Sequence, residues 1–187
     1  MNVYDFDKTI YDGDSSIDFY VFNLKESSQI ILYAPYQLIA GLLYKLHLID
    51  KTRMKQAFYS YFSMIPDMDK RLEKFWKAKS AKIKPFYQTT HQVTDVIISA
   101  SPEFMLEPIC KKLNVRLIAS SVDKKTGKYT GKNCFGEEKV KRFRMKYPHA
   151  PIDTFYSDSL SDEPLAKLAK KSVFVVGNEL KEWPSKK

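Results

Sequence analysis

The apolar positions of this chain fall into short strand-like runs separated by longer stretches of helical spacing. Asn2-Val3-Tyr4-Asp5-Phe6-Asp7 is an apolar and aromatic run that meets carboxylates at its C-terminal end, the pattern of a buried strand that stops at a site. Val96-Ile97-Ile98 repeats it and ends at Ser99-Ala100-Ser101-Pro102. Leu117-Ile118-Ala119, Thr154-Phe155-Tyr156 and Val173-Phe174-Val175-Val176 each follow a helix-like stretch. Strand and helix in alternation predict an α/β fold built on a parallel sheet.

Residues 13–90 interrupt that alternation. Helical periodicity replaces the strand signal, as over Lys51 to Ser63 and Met68 to Ile83, and predicts a helical subdomain inserted after the first strand. The expected division is therefore a core of residues 1–12 and 91–187 and an inserted subdomain of residues 13–90. Ile30 to Tyr44 is the most apolar stretch, yet it falls short of the roughly 18 residues a membrane span needs and contains Pro35 and Gln37. Two readings of it stand. Either it is the subdomain's own interior, packed against Phe58 to Phe62, or it is an interfacial helix. In the second reading its tyrosines and the basic flank Lys45, Lys51, Arg53 and Lys55 would face an anionic bilayer. The basic tail Lys181 to Lys187 reads as a frayed end.

Composition adds limits. The 187 residues suit one domain with an insertion, and 44% apolar residues with 12 Tyr, 12 Phe and 2 Trp supply a core. The formal net charge of +9 attracts phosphate groups, nucleic acid or an anionic surface without choosing among them. The stretch Lys70 to Lys79 interleaves basic and aromatic residues, but Leu72, Phe75 and Trp76 stand at i, i+3 and i+4, a packed helix face with a solvated basic side. No nucleic-acid partner is expected. Cys110 and Cys134 stand far apart with no metal-ligand spacing, and the first residues carry charge with no apolar leader. Both features fit a reducing, cytoplasmic setting, with peripheral membrane contact if the interfacial reading of Ile30 to Tyr44 holds.

The chemistry concentrates at the ends of the apolar runs. Asp5 and Asp7 stand at i and i+2, on one face if the strand continues and around a shared pocket if the chain turns. Like charges this close call for a cation or a shared proton. Tyr156-Ser157-Asp158-Ser159-Leu160-Ser161-Asp162 again follows a strand-like run and adds acids at i and i+4. Carboxylates converging at the C-terminal ends of parallel strands, with a carbonyl and waters, suit Mg²⁺. Asp158 and Asp162 have a second reading as caps of the helix beginning near Glu163-Pro164. Ser99 can hold a phosphate oxygen, and Lys139 in Gly136-Glu137-Glu138-Lys139-Val140 can neutralise a phosphoryl group in transfer.

Asp5-x-Asp7-x-Thr9, then Ser99, then Lys139, then Asp158-Ser159-x-x-Asp162 resembles, in order and over nearly the whole chain, the haloacid dehalogenase superfamily. Ile97-Ile98-Ser99-Ala100-Ser101-Pro102, Leu117-Ile118-Ala119-Ser120, Cys134-Phe135-Gly136-Glu137-Glu138-Lys139-Val140 and Ser157-Asp158-Ser159-Leu160-Ser161-Asp162-Glu163-Pro164-Leu165 are similar to its subfamily IB, the phosphoserine phosphatase-like branch, including the phosphatidylglycerophosphatase C type. The resemblance implies a Rossmann-like core with a helical cap after the first strand, and a hairpin near Ser120 to Thr130. It implies a Mg²⁺-dependent phosphatase acting on a small-molecule or lipid head-group phosphomonoester. Asp5 would be the nucleophile that becomes an aspartyl-phosphate, and Asp7 the acid and base. Thr9, Ser99 and Ala100 would hold phosphoryl oxygens, and Lys139 would pair with the nucleophile. Asp5, the Asp7 carbonyl and Asp158 would hold the metal, with Asp162 behind them. Asp14 stands where phosphoserine phosphatases have a substrate-binding Glu, and Arg53 and Arg71, the two arginines of the insertion, sit in no recognisable motif. These departures count against phosphoserine and leave the identity of the phosphomonoester open. Two other classes compete: a noncatalytic basic binding module, and a metal-independent dehalogenase.

Overall fold

The computed structural model describes residues 1–184. Six strands form one sheet in the order β3-β2-β1-β4-β5-β6. They are β1 (Val3–Tyr4), β2 (Val96–Pro102), β3 (Arg116–Ser120), β4 (Ile152–Ser157), β5 (Ala169–Val176) and β6 (Glu179–Glu182). All neighbours pair parallel except β5 and β6, which are antiparallel. β1 lies between β2 and β4, so the chain goes out to one side of it and then to the other. That reversal leaves a crevice at the C-terminal ends of β1 and β4, where open α/β sheets place their ligands.

The central strands β1 and β2 are buried on both faces, and the period-2 alternation of the strands sorts side chains between them. Val3, Val96 and Ile98 pack with Phe143, Phe155 and Leu165 under α7 (Glu137–Lys146) and α8 (Glu163–Ala166). Tyr4 and Ile97 pack on the opposite side with Met105, Leu106 and Ile109 of α6 (Glu103–Lys112). That second cluster continues through Phe6, Tyr11 and Trp76 into the inserted helices.

Those helices are α1 (Ser15–Glu26), α2 (Ala34–Lys45), α3 (Lys51–Tyr59), α4 (Met68–Lys79) and α5 (Pro85–Thr90). Three of them begin where a carboxylate accepts from the first free backbone amides: Asp14 for α1, Asp50 for α3 and Asp67 for α4. Each such cap contributes about 1 kcal/mol. Phe19, Phe62, Phe75 and Trp76 form the aromatic interior of this layer. The two crossings to the sheet run side by side. Asp12 N–H donates to Lys82 O and Lys84 N–H to Ile10 O, both at 2.8 Å. α5 lies past that crossing, with Tyr87 edge-on to Tyr4 at 4.9 Å.

Val122 bridges Tyr129 in the turn that the 120–130 segment was expected to form. Its Gly127 has φ +71°, and a Cβ there would meet Tyr59 O at 2.4 Å, so the turn backbone seats directly on the end of α3. The tail departs from expectation. Lys181 and Glu182 close β6, and Trp183 packs on Phe155 and Phe174 at 5.9 and 5.5 Å between ring centroids. An indole with two ring partners anchors this end, while Ser185 to Lys187 lie outside the described residues. Cys110 and Cys134 are unpaired and buried. Among the described residues no helix is long and apolar enough to cross a membrane.

Candidate active site

The sheet register brings the sequence-predicted residues together. Tyr4 stands abreast of Ile97 on one side and Tyr156 on the other. Asp5, Ser99 and Asp158 each follow within two residues of that row, so the ends of β1 and β4 and the middle of β2 present them to one crevice. The Asp5 N–H still donates to Tyr156 O at 2.9 Å, and the chain then turns. Lys8 takes a left-handed φ of 57°, a conformation that costs a side-chain-bearing residue roughly 1–2 kcal/mol. Its N–H donates to Gly13 O, and buried Lys84 donates from Nζ to the carbonyls of Lys8 and Gly177. The turn sends the two carboxylates apart: Asp5 faces Lys139, and Asp7 faces α1 and β2.

Lys139 sits in the first turn of α7, where the helix dipole disfavours a cation. Carboxylates offset that. Its Nζ lies 2.6 Å from Asp5 Oδ1 and 2.7 Å from Asp162 Oδ2, and the side chain is only 2% exposed. Gly136, with φ +57°, turns the chain into α7 and aims the lysine inward. Asp162 Oδ2 also accepts from Ser157 Oγ at 2.8 Å. Neither acid of this loop caps α8. Asp162 makes no capping bond, and the cap of the preceding turn is Ser159, which accepts from Ser161 N–H.

Thr9 is fully buried beneath the crevice rather than lining it. Its Oγ1 accepts from Asp158 N–H at 3.0 Å and lies 3.4 Å from both Asp5 Oδ2 and Asp158 Oδ1. One hydroxyl thus ties the loop after β1 to the loop after β4. Ser99 Oγ accepts from Ser101 N–H at 3.1 Å, while Ala100 O accepts from Lys55 Nζ at 3.0 Å and Ser120 Oγ at 3.1 Å. Asp7 accepts from Ser15 N–H at 2.6 Å and Ser101 Oγ at 2.5 Å. Ser101 continues to Ser16 at 3.4 Å and from there to Tyr59 of α3 at 3.1 Å, a chain of hydroxyls from the inserted helices to Asp7.

Electrostatics follow from burial. Desolvation, then the charges of Asp162 and Asp158, outweigh Lys139 and push the Asp5 carboxyl up to about 7. Asp7 is raised chiefly by burial and next by Asp14, against hydrogen bonds from Ser101 and Ser15. Asp158 is raised by burial as well. Desolvation would lower Lys139, but the two carboxylates beside it win and hold it well above the usual lysine range. The cluster therefore carries more carboxylate than cation.

That surplus is one test of whether Mg²⁺ fits. Asp5 and Asp158 converge on Thr9, and Asp162 Oδ1 is buried without a hydrogen-bond partner. Anionic oxygens of this kind suit a hard cation. Among the described residues no three Asp, Glu, His or Cys side chains come together as a complete ligand set, so a backbone carbonyl and waters would fill the shell, as Mg²⁺ accepts.

The crevice has a volume of about 380 Å³. Beyond the expected residues, Lys51, Met54, Lys55 and Phe58 of α3 and Ile17 of α1 form its outer wall. Lys51 lies over the Phe135 ring at 3.9 Å. Neither Lys51 nor Lys55 makes an ion pair among the described residues, and burial lowers the pKa of both against the pull of the site's carboxylates. The sequence placed them in a basic flank; their i, i+4 spacing puts them on one helix face but does not say which way it turns.

Solved structures with the same architecture include a protein of unknown function from Bordetella pertussis Tohama I, at TM-score 0.72 and 17% identity over 92% of this chain and 87% of that one. A HAD family hydrolase from Salmonella enterica subsp. enterica serovar Typhi matches at TM-score 0.63 and 14% identity, over 89% of this chain and 59% of that one. A probable phosphoserine phosphatase from Vibrio cholerae matches at TM-score 0.62 and 11% identity, over 91% and 55%. At such identities the likeness is one of fold. No curated protein matches the chain in sequence. The model of the haloacid dehalogenase-like hydrolases matches residues 3–167, from the first strand through the loop that carries Asp158 and Asp162, and the chain belongs to that family.

Proposed function

We propose that this hydrolase is a Mg²⁺-dependent phosphatase that cleaves a phosphomonoester through an aspartyl-phosphate on Asp5. The observation that carries the reading is the Asp5 carboxylate, facing the crevice with one oxygen held by Lys139 and the second unencumbered except for Thr9. Asp5 Oδ2 attacks phosphorus, and the leaving alkoxide takes a proton from Asp7. Asp7, now ionised, takes a proton from the water that attacks the acyl-phosphate, and inorganic phosphate leaves. A covalent intermediate divides one difficult displacement into two easier ones. The raised pKa of Asp7 supports its entering the first step protonated.

Asp5, the Asp7 carbonyl and Asp158 would hold Mg²⁺, which when bound supplies the positive charge that lets an anionic nucleophile meet an anionic ester. Lys139 neutralises the phosphoryl group in transfer, and Ser99 and the Ala100 backbone hold its oxygens. Thr9 acts as a positioning residue for Asp5 and Asp158, in place of the direct phosphoryl contact the resemblance implied. The helices of residues 13–90 cap the site, and Lys51 and Lys55 meet the part of the substrate beyond the phosphoryl group. A lipid head-group phosphomonoester is the second reading of the substrate, favoured by the apolar surface of α2.

Phosphate release from a panel of soluble and lipid phosphomonoesters, with Mg²⁺ and with EDTA, tests the assignment. Turnover with Mg²⁺ that EDTA abolishes is expected. Turnover that ignores EDTA, or none on any ester, counts against it.

A further inference from the structure

α2 is amphipathic in the wrong sense for a helix in water. The face it turns to the protein carries Ala40, which is buried, and Gln37, which donates from Nε2 to Phe58 O at 2.9 Å. The opposite face carries the large apolar residues. Leu38 is 74% exposed, Ile39 58% and Leu42 57%, and the stripe continues into Leu32 at 73% before the helix and Leu46 at 57% after it. Positions 32, 38 and 39, 42 and 46 repeat at helical spacing. More than half of each side chain is in water, and Ile31 and Leu48 are also exposed, a concentration of large apolar groups that marks an interaction surface. The reading of this stretch as the subdomain's interior fails for these side chains.

Two occupants could cover such a face, a second copy of the chain or a bilayer. Charge separates them. The chain carries +9, and between Glu26 and Asp50 there is no carboxylate, only Lys45 and His47. Two copies joined here would bring like charge to like, whereas a surface of anionic lipid attracts it. Tyr36, exposed at 57%, puts an amphipathic ring at the border of the stripe, as a water–lipid boundary favours. Lys51 and Lys55 do not contribute to the outer charge, because they turn into the crevice; exposed Lys45, at the end of α2, does.

We infer that α2 is a docking face for an anionic bilayer, which it enters with Leu38, Ile39 and Leu42 while the protein stays peripheral. α2 rests on the crevice wall through the face opposite the stripe. Phe58, to which Gln37 of α2 is bonded, lines that wall, as does Ile17, 54% exposed on α1. Docking therefore keeps the chain where a lipid-borne ester is concentrated, with α2 between the bilayer and Phe58 on the crevice wall.

The test reads binding, so it stands whether or not Asp5 is the nucleophile. The full chain is sedimented with vesicles of phosphatidylcholine containing phosphatidylglycerol, and with vesicles of phosphatidylcholine alone. Preferential binding to the anionic vesicles is expected, falling severalfold as salt rises and at least tenfold in the double variant Leu38→Ser, Leu42→Ser, with its circular dichroism unchanged. As a second readout, Leu38→Cys carrying an environment-sensitive fluorophore, specific because both native cysteines are buried, should shift to the blue on anionic vesicles. Absence of binding, binding that the serines leave intact, or an unshifted fluorophore overturns the inference. A dimer in ultracentrifugation that the serines dissolve, without vesicle binding, assigns the face to a second copy and overturns it too.

Discussion

Lys139 Nζ and Asp5 Oδ1 stand 2.6 Å apart, although 134 residues separate them along the chain, and the pair is closed from water on the lysine side. This ion pair joins the end of β1 to the start of α7, and Asp162 completes it from the loop after β4. A buried pair that loses one member is left with an uncompensated charge, at about 3–5 kcal/mol. Lys139→Ala should accordingly lower the melting temperature and cut kcat by at least a thousandfold. Thermal denaturation and steady-state kinetics check it; a stable variant with near-normal kcat would show the lysine to be incidental.

Asp7 must lend a proton to a poor leaving group. Asp7→Asn should therefore slow an alkyl phosphate far more than p-nitrophenyl phosphate, whose leaving group needs little help. Ser101 donates to the Asp7 carboxylate and so favours its ionised form. Ser101→Ala should raise the Asp7 pKa and move the alkaline limb of kcat/KM for an alkyl phosphate to higher pH. Equal losses on both esters in Asp7→Asn, or a limb that moves down in Ser101→Ala, would contradict this role.

Lys51 and Lys55 should act on affinity. Replacing either by Ala removes a cation from the crevice wall and should raise KM roughly tenfold with a smaller effect on kcat, the split expected of binding shared by ground and transition states. Lys55→Arg should restore most of the loss. Kinetics in which kcat falls while KM stays constant would place these lysines in the chemical step instead.

The strand ends were legible because each apolar run stops at the residues that matter: Asp5 and Asp158 directly follow β1 and β4, and Ser99 follows the buried Val96-Ile97-Ile98 within β2. Order along the chain also marked Lys139. What the sequence left open depended on long-range packing. Whether Asp162 caps α8 or meets Lys139 is decided by how α7 crosses the loop after β4. The inward turn of Lys51 and Lys55 is decided by how α3 rests over the crevice. The order of the tail is decided by a place for Trp183 between Phe155 and Phe174. Local spacing carries none of these.

Asp18 provides a pH test of how the inserted helices are tied to the sheet. It accepts from Lys82 Nζ and Tyr11 Oη, both at 2.6 Å, one from each crossing strand of chain. Burial raises its pKa, but the bonds from Lys82 and Tyr11 outweigh this and the net shift is downward. A depressed carboxyl pKa gives stability that is present above the unfolded value near 4 and lost as pH falls through the folded value. Asp18→Asn should lower the melting temperature at neutral pH, and the gap to the native chain should narrow below pH 4. A gap constant with pH would mean that the carboxylate charge does not matter there.

The central claim is that Asp5 carries the phosphoryl group during turnover. Rapid acid quench of the enzyme with a phosphorus-labelled ester and Mg²⁺, followed by borohydride reduction and peptide mapping, reads this directly. The expected result is homoserine at position 5, with labelled protein absent from Asp5→Asn. Label on another residue, or full turnover with no phosphoenzyme and an active Asp5→Asn, would contradict it.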